Sequence, residues 1–235
     1  MTIAENSIDF ECYPLGDSAI VIQFPDEMSI SINQKVKSIS EFLDEYTFEG
    51  FVEYVPAFTS ITVYYQPTVV SYQELETMVQ EMMDELPTPA PYSPSMVIEI
   101  PVIYGGEAGP DIEIVAQHNN LTVDEVISIH SAPEYLVYMI GFAPGFPYLG
   151  GLDNRLATPR RVSPRPIVPA GSVGIAGMQT GIYSLKTPGG WQIIGRTTVD
   201  LFSREGDQPV LLKAGDRIRF VPIDSDTFMD DVYGI

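Results

Sequence analysis

Residues 138–197 constrain the fold more than any other part of the sequence. Gly and Pro recur throughout this segment, yet the polar residues of a linker do not. Pro lacks an amide donor and Gly carries a high backbone entropy cost, so the segment cannot form ordinary helices. It is also too rich in Ile, Val, Phe and Tyr to be disordered. We predict short strands and tight loops, which are typical of substrate pockets and also of barrel corners.

The sequence around this segment predicts a mainly-β domain. Two short helices are expected at 110–118 and 122–130, the second opening with a capping box formed by Thr122 and Glu125. Short β-favouring runs separated by Gly, Pro and Asp then follow at 135–140, 181–185, 192–194, 199–202 and 217–221. Many short strands with such turns indicate a barrel or a sandwich.

The N-terminal part predicts an α+β domain with the element order β-β-α-β-β-α. Apolar residues recur at spacings of three and four over residues 29–46, which predicts an amphipathic helix capped by Ser29 or Ser31. Ser71 and Glu74 form a capping box at the start of a second helix. We therefore expect a small sheet covered by two helices on one face.

A Pro-dense stretch at residues 87–94 separates the two patterns. Pro can neither continue a helix nor join the middle of a sheet, so this stretch is the best candidate for a linker. We place the N-terminal α+β domain at residues 1–90 and the mainly-β domain at residues 91–235.

Charge excludes some classes of partner and suggests another. The formal net charge of -20 argues against nucleic acid and anionic lipid, which require an excess of Lys and Arg. Residues 135–199, however, contain one acid against six bases: Asp153 against Arg155, Arg160, Arg161, Arg165, Lys186 and Arg196. These bases either pair with the acidic remainder of the chain or line a pocket for a small anion.

The remaining composition indicates a cytoplasmic protein. Cys12 is the single Cys and cannot form an internal disulfide. The sequence also lacks the paired Cys/His spacing that is typical of a structural zinc site. The N-terminus lacks a basic start followed by an apolar run, and no stretch is long and apolar enough for a membrane span.

Three runs carry a resemblance to a known family: GFAPGFPYLGGL at 141–152, TPRRVSPRPIVPAGSVGIAGMQTGIYS at 158–184 and TPGGWQIIGRT at 187–197. They resemble the signature of the family that contains KipI, the B subunit of 5-oxoprolinase and the first subunit of allophanate hydrolase. The resemblance implies a cyclophilin-like β-barrel behind an α+β domain. It also implies an enzyme component that opens 5-oxoproline to glutamate with ATP and Mg, that acts together with the homologous C subunit and the A subunit of 5-oxoprolinase, and that is inactive alone.

The chemistry implied by this resemblance suggests roles for eight residues. Opening a lactam requires cations for the carboxylate and phosphate, and donors for a developing oxyanion. The candidate catalytic residues are His130, Lys186 and Gln179, and the candidate substrate-binding residues are Arg165, Arg196, Thr180, Trp191 and Gly177.

Four of these residues have a structural alternative. Arg165 could bind loop carbonyls, Trp191 could belong to the core, and His130 could stabilise the dipole of its helix. Gly177 could supply a special backbone angle.

The sequence leaves a second function open. A KipI-type regulator would bind a sensor histidine kinase through protein contact alone, and a component related to urea amidolyase is a weaker third option. We favour the enzyme component because a segment rich in cations and Gly suits a small anionic ligand better than a flat protein interface.

Overall fold

The computed structural model describes residues 9–25, 29–86, 97–205 and 209–224. The chain divides into two compact units, Met1–Ser93 and Pro94–Ile235. Residue 90, where the sequence places the domain boundary, and the Pro-dense stretch lie outside the described residues.

The N-terminal unit has the predicted order of elements. Its strands are β1 (Glu11–Pro14), β2 (Ala19–Gln23), β3 (Phe51–Pro56) and β4 (Ser60–Tyr65), and its helices are α1 (Ile30–Glu45) and α2 (Tyr72–Glu85). The strands form one antiparallel sheet in the order β1-β2-β4-β3. The expected α+β unit is confirmed.

Both helices cover the same face of this sheet. Ile20 of β2 lies opposite Val63 of β4, and such pairs place their side chains on one face. The buried residues of both helices form a single core with that face. The predicted caps are present, because the Ser29 and Ser71 side chains accept hydrogen bonds from the first turns of α1 and α2.

The C-terminal unit is built around a closed barrel. Its elements are β5 (Ile98–Tyr104), α3 (Ile112–Asn119), α4 (Val123–Ser131), β6 (Tyr135–Ile140), β7 (Pro147–Gly150), a 3-10 turn (Asn154–Leu156), β8 (Arg165–Val168), β9 (Ser172–Ala176), β10 (Gln179–Ile182), β11 (Thr187–Gly189), β12 (Gln192–Arg196) and β13 (Arg217–Pro222). Seven strands close the barrel in the order β10-β7-β6-β13-β5-β12-β9, and β11 pairs with β8 outside it. The mainly-β barrel domain is confirmed.

The Gly- and Pro-rich segment supplies six of these strands. β7 to β12 all lie within residues 138–197. The sequence analysis did not predict four of them: β7, β8, β9 and β11. The strand expected at 199–202 is wrong, since only Phe202 forms an isolated bridge there, with Val210. No helix in the described part of the chain has the length and apolar character that a membrane span needs.

Candidate functional site

An open pocket of about 310 Å³ lies in the C-terminal unit, and we call it the aromatic pocket. Its walls come from the loop before β7, from β7 itself, from the loop before β8 and from the segment around β11. The lining residues are Phe142, Phe146, Tyr148, Arg160, Arg161, Pro164, Tyr183, Pro188, Gly189, Gly190 and Trp191. All three runs that carry the family resemblance therefore contribute to one cavity.

The loop before β7 is tightly turned and presents one aromatic side chain to solvent. The Ala143 amide donates to the Gly141 carbonyl, and the Phe146 amide donates to the Ala143 carbonyl. Phe142 adopts a φ of 68°, which is uncommon outside Gly, and its side chain is 64% exposed. Backbone strain of this kind clusters at binding sites.

The inner wall of the pocket is an edge-to-face aromatic cluster. The Phe146 ring lies 5.3 Å from the Tyr183 ring and 5.5 Å from the Trp191 ring, at nearly perpendicular angles. Burial raises the pKa of Tyr183. The backbone of β11 lies close to this wall at Gly189, because a Cβ at that position would clash with the Tyr183 hydroxyl. The pocket therefore offers rigid apolar surface with few polar groups.

Two adjacent guanidinium groups supply positive charge to this apolar surface. Arg160 is exposed at the pocket, and its charge acts to lower the pKa of Tyr148 and Tyr183 against the raising effect of their burial. No ion pair involves Arg160 within the described residues. Arg161 also lines the pocket, and its buried Nε has no hydrogen-bond partner in the described part of the chain. Arg160 is therefore available to an anion, and Arg161 adds positive charge to the same wall.

A buried carboxylate holds Arg161 in place. Asp111, only 1% exposed, precedes α3, and its Oδ1 accepts from Arg161 Nη1 at 3.0 Å and from Arg165 Nη2 at 2.6 Å. Its Oδ2 accepts from the Ile193 amide at 2.7 Å. One carboxylate thus faces two guanidinium groups, which leaves this cluster with an excess positive charge beside the pocket. We call these three side chains the Asp111 cluster.

His130 lies in the barrel core and is fully buried. Its Nδ1 is 2.8 Å from the Tyr104 hydroxyl, and its Nε2 is 2.9 Å from Thr180 Oγ1. Thr180 donates its own hydrogen to the Gly174 carbonyl at 3.0 Å. Thr180 must therefore accept from His130, so we assign the proton to Nε2 and the acceptor role to Nδ1.

Burial lowers the pKa of His130 to about 3, so the ring is neutral near pH 7. Both ring nitrogens are engaged, and the ring stacks on Phe220 at 4.6 Å. This environment does not suit a general base, and it also removes the charge that the helix-dipole alternative requires. His130 and Thr180 instead tie α4 to the barrel.

The other predicted residues are dispersed. Arg165 neither lines the pocket nor binds loop carbonyls, because it pairs with Asp111. Arg196 donates through Nε to the Ala170 carbonyl at 3.1 Å. Lys186 is exposed just before β11, and Gln179 begins β10; neither lines the pocket.

Trp191 and Gly177 complete the set of predicted residues. Trp191 satisfies both interpretations at once, since it is 6% exposed in a core cluster and also forms part of the pocket wall. Gly177 has a φ of 58° in the turn between β9 and β10, which fits the predicted special backbone angle.

Sequence reasoning missed most of the pocket. Arg160 and Arg161 were counted in the local charge excess, but nothing singled them out from the other bases. Their adjacency within the TPRRVSPRP run was the available signal. Asp111 had no local signal, because its partners lie 50 and 54 residues away in the sequence.

The family model "Carboxyltransferase domain, subdomain C and D" matches residues 10–212. The chain therefore belongs to this family, as the fold and the three runs suggested.

Two relatives are similar over nearly their whole length. The B subunit of the 5-oxoprolinase of Bacillus subtilis (strain 168) is 46% identical, across 92% of this chain and 94% of that protein. The B subunit of the 5-oxoprolinase of Escherichia coli O157:H7 is 43% identical, across 90% of this chain and 95% of that protein. The resemblance to the B subunit of 5-oxoprolinase is confirmed.

A solved structure shows the same fold at low sequence identity. The crystal structure of the K. lactis urea amidolyase matches 96% of this chain with a TM-score of 0.80 at 18% identity. This chain spans 15% of that protein, so the likeness concerns the fold alone.

Proposed function

We propose that this protein is the B subunit of a 5-oxoprolinase, an enzyme complex that hydrolyses 5-oxo-L-proline to L-glutamate with ATP in the cytoplasm. The observation that carries the proposal is the 46% identity to the B subunit of a known 5-oxoprolinase across nearly the full length of both proteins. The aromatic pocket adds a site with suitable chemistry, since it combines apolar walls with the guanidinium groups of Arg160 and Arg161.

The substrate's two ends fit the two parts of this pocket. 5-Oxoproline is a small ring with a carboxylate on one side and a lactam carbonyl on the other. The methylene edge of the ring packs against the Phe146 and Trp191 walls, and the carboxylate pairs with Arg160. The positive charge of Arg161, which also lines the pocket, stabilises the negative charge that develops on the lactam oxygen as the amide is activated.

ATP and Mg are bound with a partner protein in this proposal. Among the described residues, no group of three or more His, Cys, Asp or Glu side chains could hold a metal ion. The residues that line the aromatic pocket include no Asp or Glu that could hold Mg, and the partners in this proposal are the C and A subunits of the enzyme. Activity requires the assembled complex, and this chain alone turns over no substrate.

The proposal is tested by ATP-dependent release of glutamate from 5-oxoproline, measured for the chain alone and for its mixture with the A and C subunits. Turnover in the mixture only is the expected result. Absence of turnover with folded partners would overturn the proposal. Inhibition of a sensor histidine kinase's autophosphorylation by the same preparation would then favour the regulator.

The role of Arg160 is tested in the active mixture. Arg160→Ala should raise the KM for 5-oxoproline roughly threefold to tenfold, because a charge-assisted contact contributes about 1.5–3 kcal/mol and the exposure of Arg160 to solvent halves this contribution. Arg204→Ala is the matched control, since Arg204 is also exposed in the described part of this unit but does not line the pocket. An unchanged KM in Arg160→Ala would refute the assignment of the carboxylate site.

A further inference from the structure

The N-terminal unit contains a second concave surface, which lies between α1 and α2 and which we call the interhelical groove. Two adjoining cavities of about 230 and 530 Å³ form it, and they share Phe42, Tyr46 and Glu85. Its floor is the apolar core, including Leu75 and Val79. Tyr46 is 61% exposed and Met78 is 41% exposed on its sides. Exposed apolar surface gathered in a groove is typical of a site for a partner helix.

The groove is rimmed by carboxylates from two similar sequence segments. Residues 41–45 read E-F-L-D-E at the end of α1, and residues 81–85 read E-M-M-D-E at the end of α2. Glu41, Glu45, Glu81 and Glu85 from these segments line the cavities and are exposed. Each helix thus presents apolar residues to the groove and acidic residues to its rim.

Two of these carboxylates, Glu45 and Glu85, lie where helices disfavour them, because they end α1 and α2. The C-terminal end of a helix carries partial negative charge, so Asp and Glu in the last turn are destabilising and Lys or Arg are favoured. Neither α1 nor α2 has a base in its last turn. Of the four rim Glu residues, Glu41 alone has an ion pair within the described residues, with Lys37 at 3.5 Å. A cationic partner would relieve this repulsion at both helix ends.

The remaining segments of the chain do not provide that cation. All 12 Lys and Arg residues lie in the described ranges, so residues 1–8, 26–28, 87–96, 206–208 and 225–235 contain none. A second copy of the chain carries a net charge of -20 and is repelled as a whole.

From these observations we propose that the interhelical groove binds a basic amphipathic helix of another protein, with an apolar stripe in the groove and Lys or Arg side chains on the two acidic rims. This proposal is independent of the aromatic pocket and of the reaction proposed for it.

The test uses the full-length protein and a fluorescein-labelled peptide of about 18 residues, long enough to form a helix, with Leu at helical spacing and Lys on both flanks. Two matched peptides replace the Lys residues by Glu or the Leu residues by Ser. We expect saturable binding of the Leu/Lys peptide alone, measured by fluorescence anisotropy. Raising the salt concentration should weaken this binding because it screens the rim charges.

The decisive variant is Glu45→Lys/Glu85→Lys, which reverses one charge on each rim. Binding should weaken roughly tenfold or more, since two attractions become repulsions. The variant should nevertheless unfold at an equal or higher temperature, because it places bases at the ends of both helices. Lost binding in this variant is then not a folding defect. The control, Glu107→Lys/Asp200→Lys, makes the same change in charge at exposed positions in the C-terminal unit and should bind like the unmodified protein.

Several outcomes would overturn the proposal. If the two double variants bound the Leu/Lys peptide equally well, the binding would be nonspecific charge attraction and not recognition by the groove. Binding of the Glu-flanked peptide would show that the acidic rims do not select a basic partner. Self-association that Met78→Asp abolishes would assign the groove to a second copy, and peptide binding that appears only after residues 87–96 are replaced by Gly and Ser would assign it to the chain itself.

Discussion

The Asp111 cluster predicts a large stability difference between two similar substitutions. Asp111→Asn removes the charge that faces Arg161 and Arg165, although the amide oxygen can still accept from the Ile193 backbone. A buried charge-assisted hydrogen bond contributes about 1.5–3 kcal/mol. The Arg161 and Arg165 side chains are 31% and 23% exposed, so we halve each contribution for solvent screening. The expected loss is about 1.5–3 kcal/mol for the two bonds together.

The assay is urea unfolding followed by tryptophan fluorescence. Trp191 is the only Trp, and it is 6% exposed in the C-terminal unit, so its emission reports the unfolding of that unit alone. The midpoint for Asp111→Asn should fall by roughly 1 M, given slopes of about 1–3 kcal/mol per molar urea.

The matched control is Asp153→Asn, which removes the charge from an Asp–Arg pair on the surface of the same unit. Arg155 in that pair is 65% exposed at its side chain, so water replaces the lost contact and the midpoint should barely move. Equal shifts for Asp111→Asn and Asp153→Asn would refute the argument that burial gives the Asp111 cluster its strength.

Two further predictions use the same fluorescence signal or the same complex. Burial lowers the pKa of His130 to about 3, whereas a His in the unfolded chain has a pKa of about 6.5. Between these pH values the unfolded chain binds a proton on His130 that the folded chain does not bind. The C-terminal unit should therefore lose stability as pH falls from about 7 to about 5.5. His118→Gln should keep this loss, because His118 is exposed, whereas His130→Gln should reduce it; an identical pH dependence in both variants would contradict the assignment. Gly189→Ala should displace the Tyr183 ring and raise the KM for 5-oxoproline in the assembled complex, and an unchanged KM would show that the aromatic wall does not contact the substrate.

The sequence by itself determined the local elements and the fold class. Helix signals are local: Ser71 and Glu74 are three residues apart, and the apolar stripe of α1 repeats within each turn. Both helices of the N-terminal unit and the order of its strands therefore followed from short windows. The family resemblance rested on three runs of residues and supplied the barrel and the likeness to the B subunit of 5-oxoprolinase.

The tertiary structure alone decided which side chains form the site. Arg165 and His130 carry the residue types expected of a binding site, yet one pairs with Asp111 and the other lies in the barrel core. The contact between Arg165 and Asp111 and the contact between His130 and Thr180 both join residues 50 or more positions apart in the sequence, which only the folded chain brings together. Burial then sets their chemistry, because the same imidazole that is a base in water stays neutral when it is enclosed by the barrel.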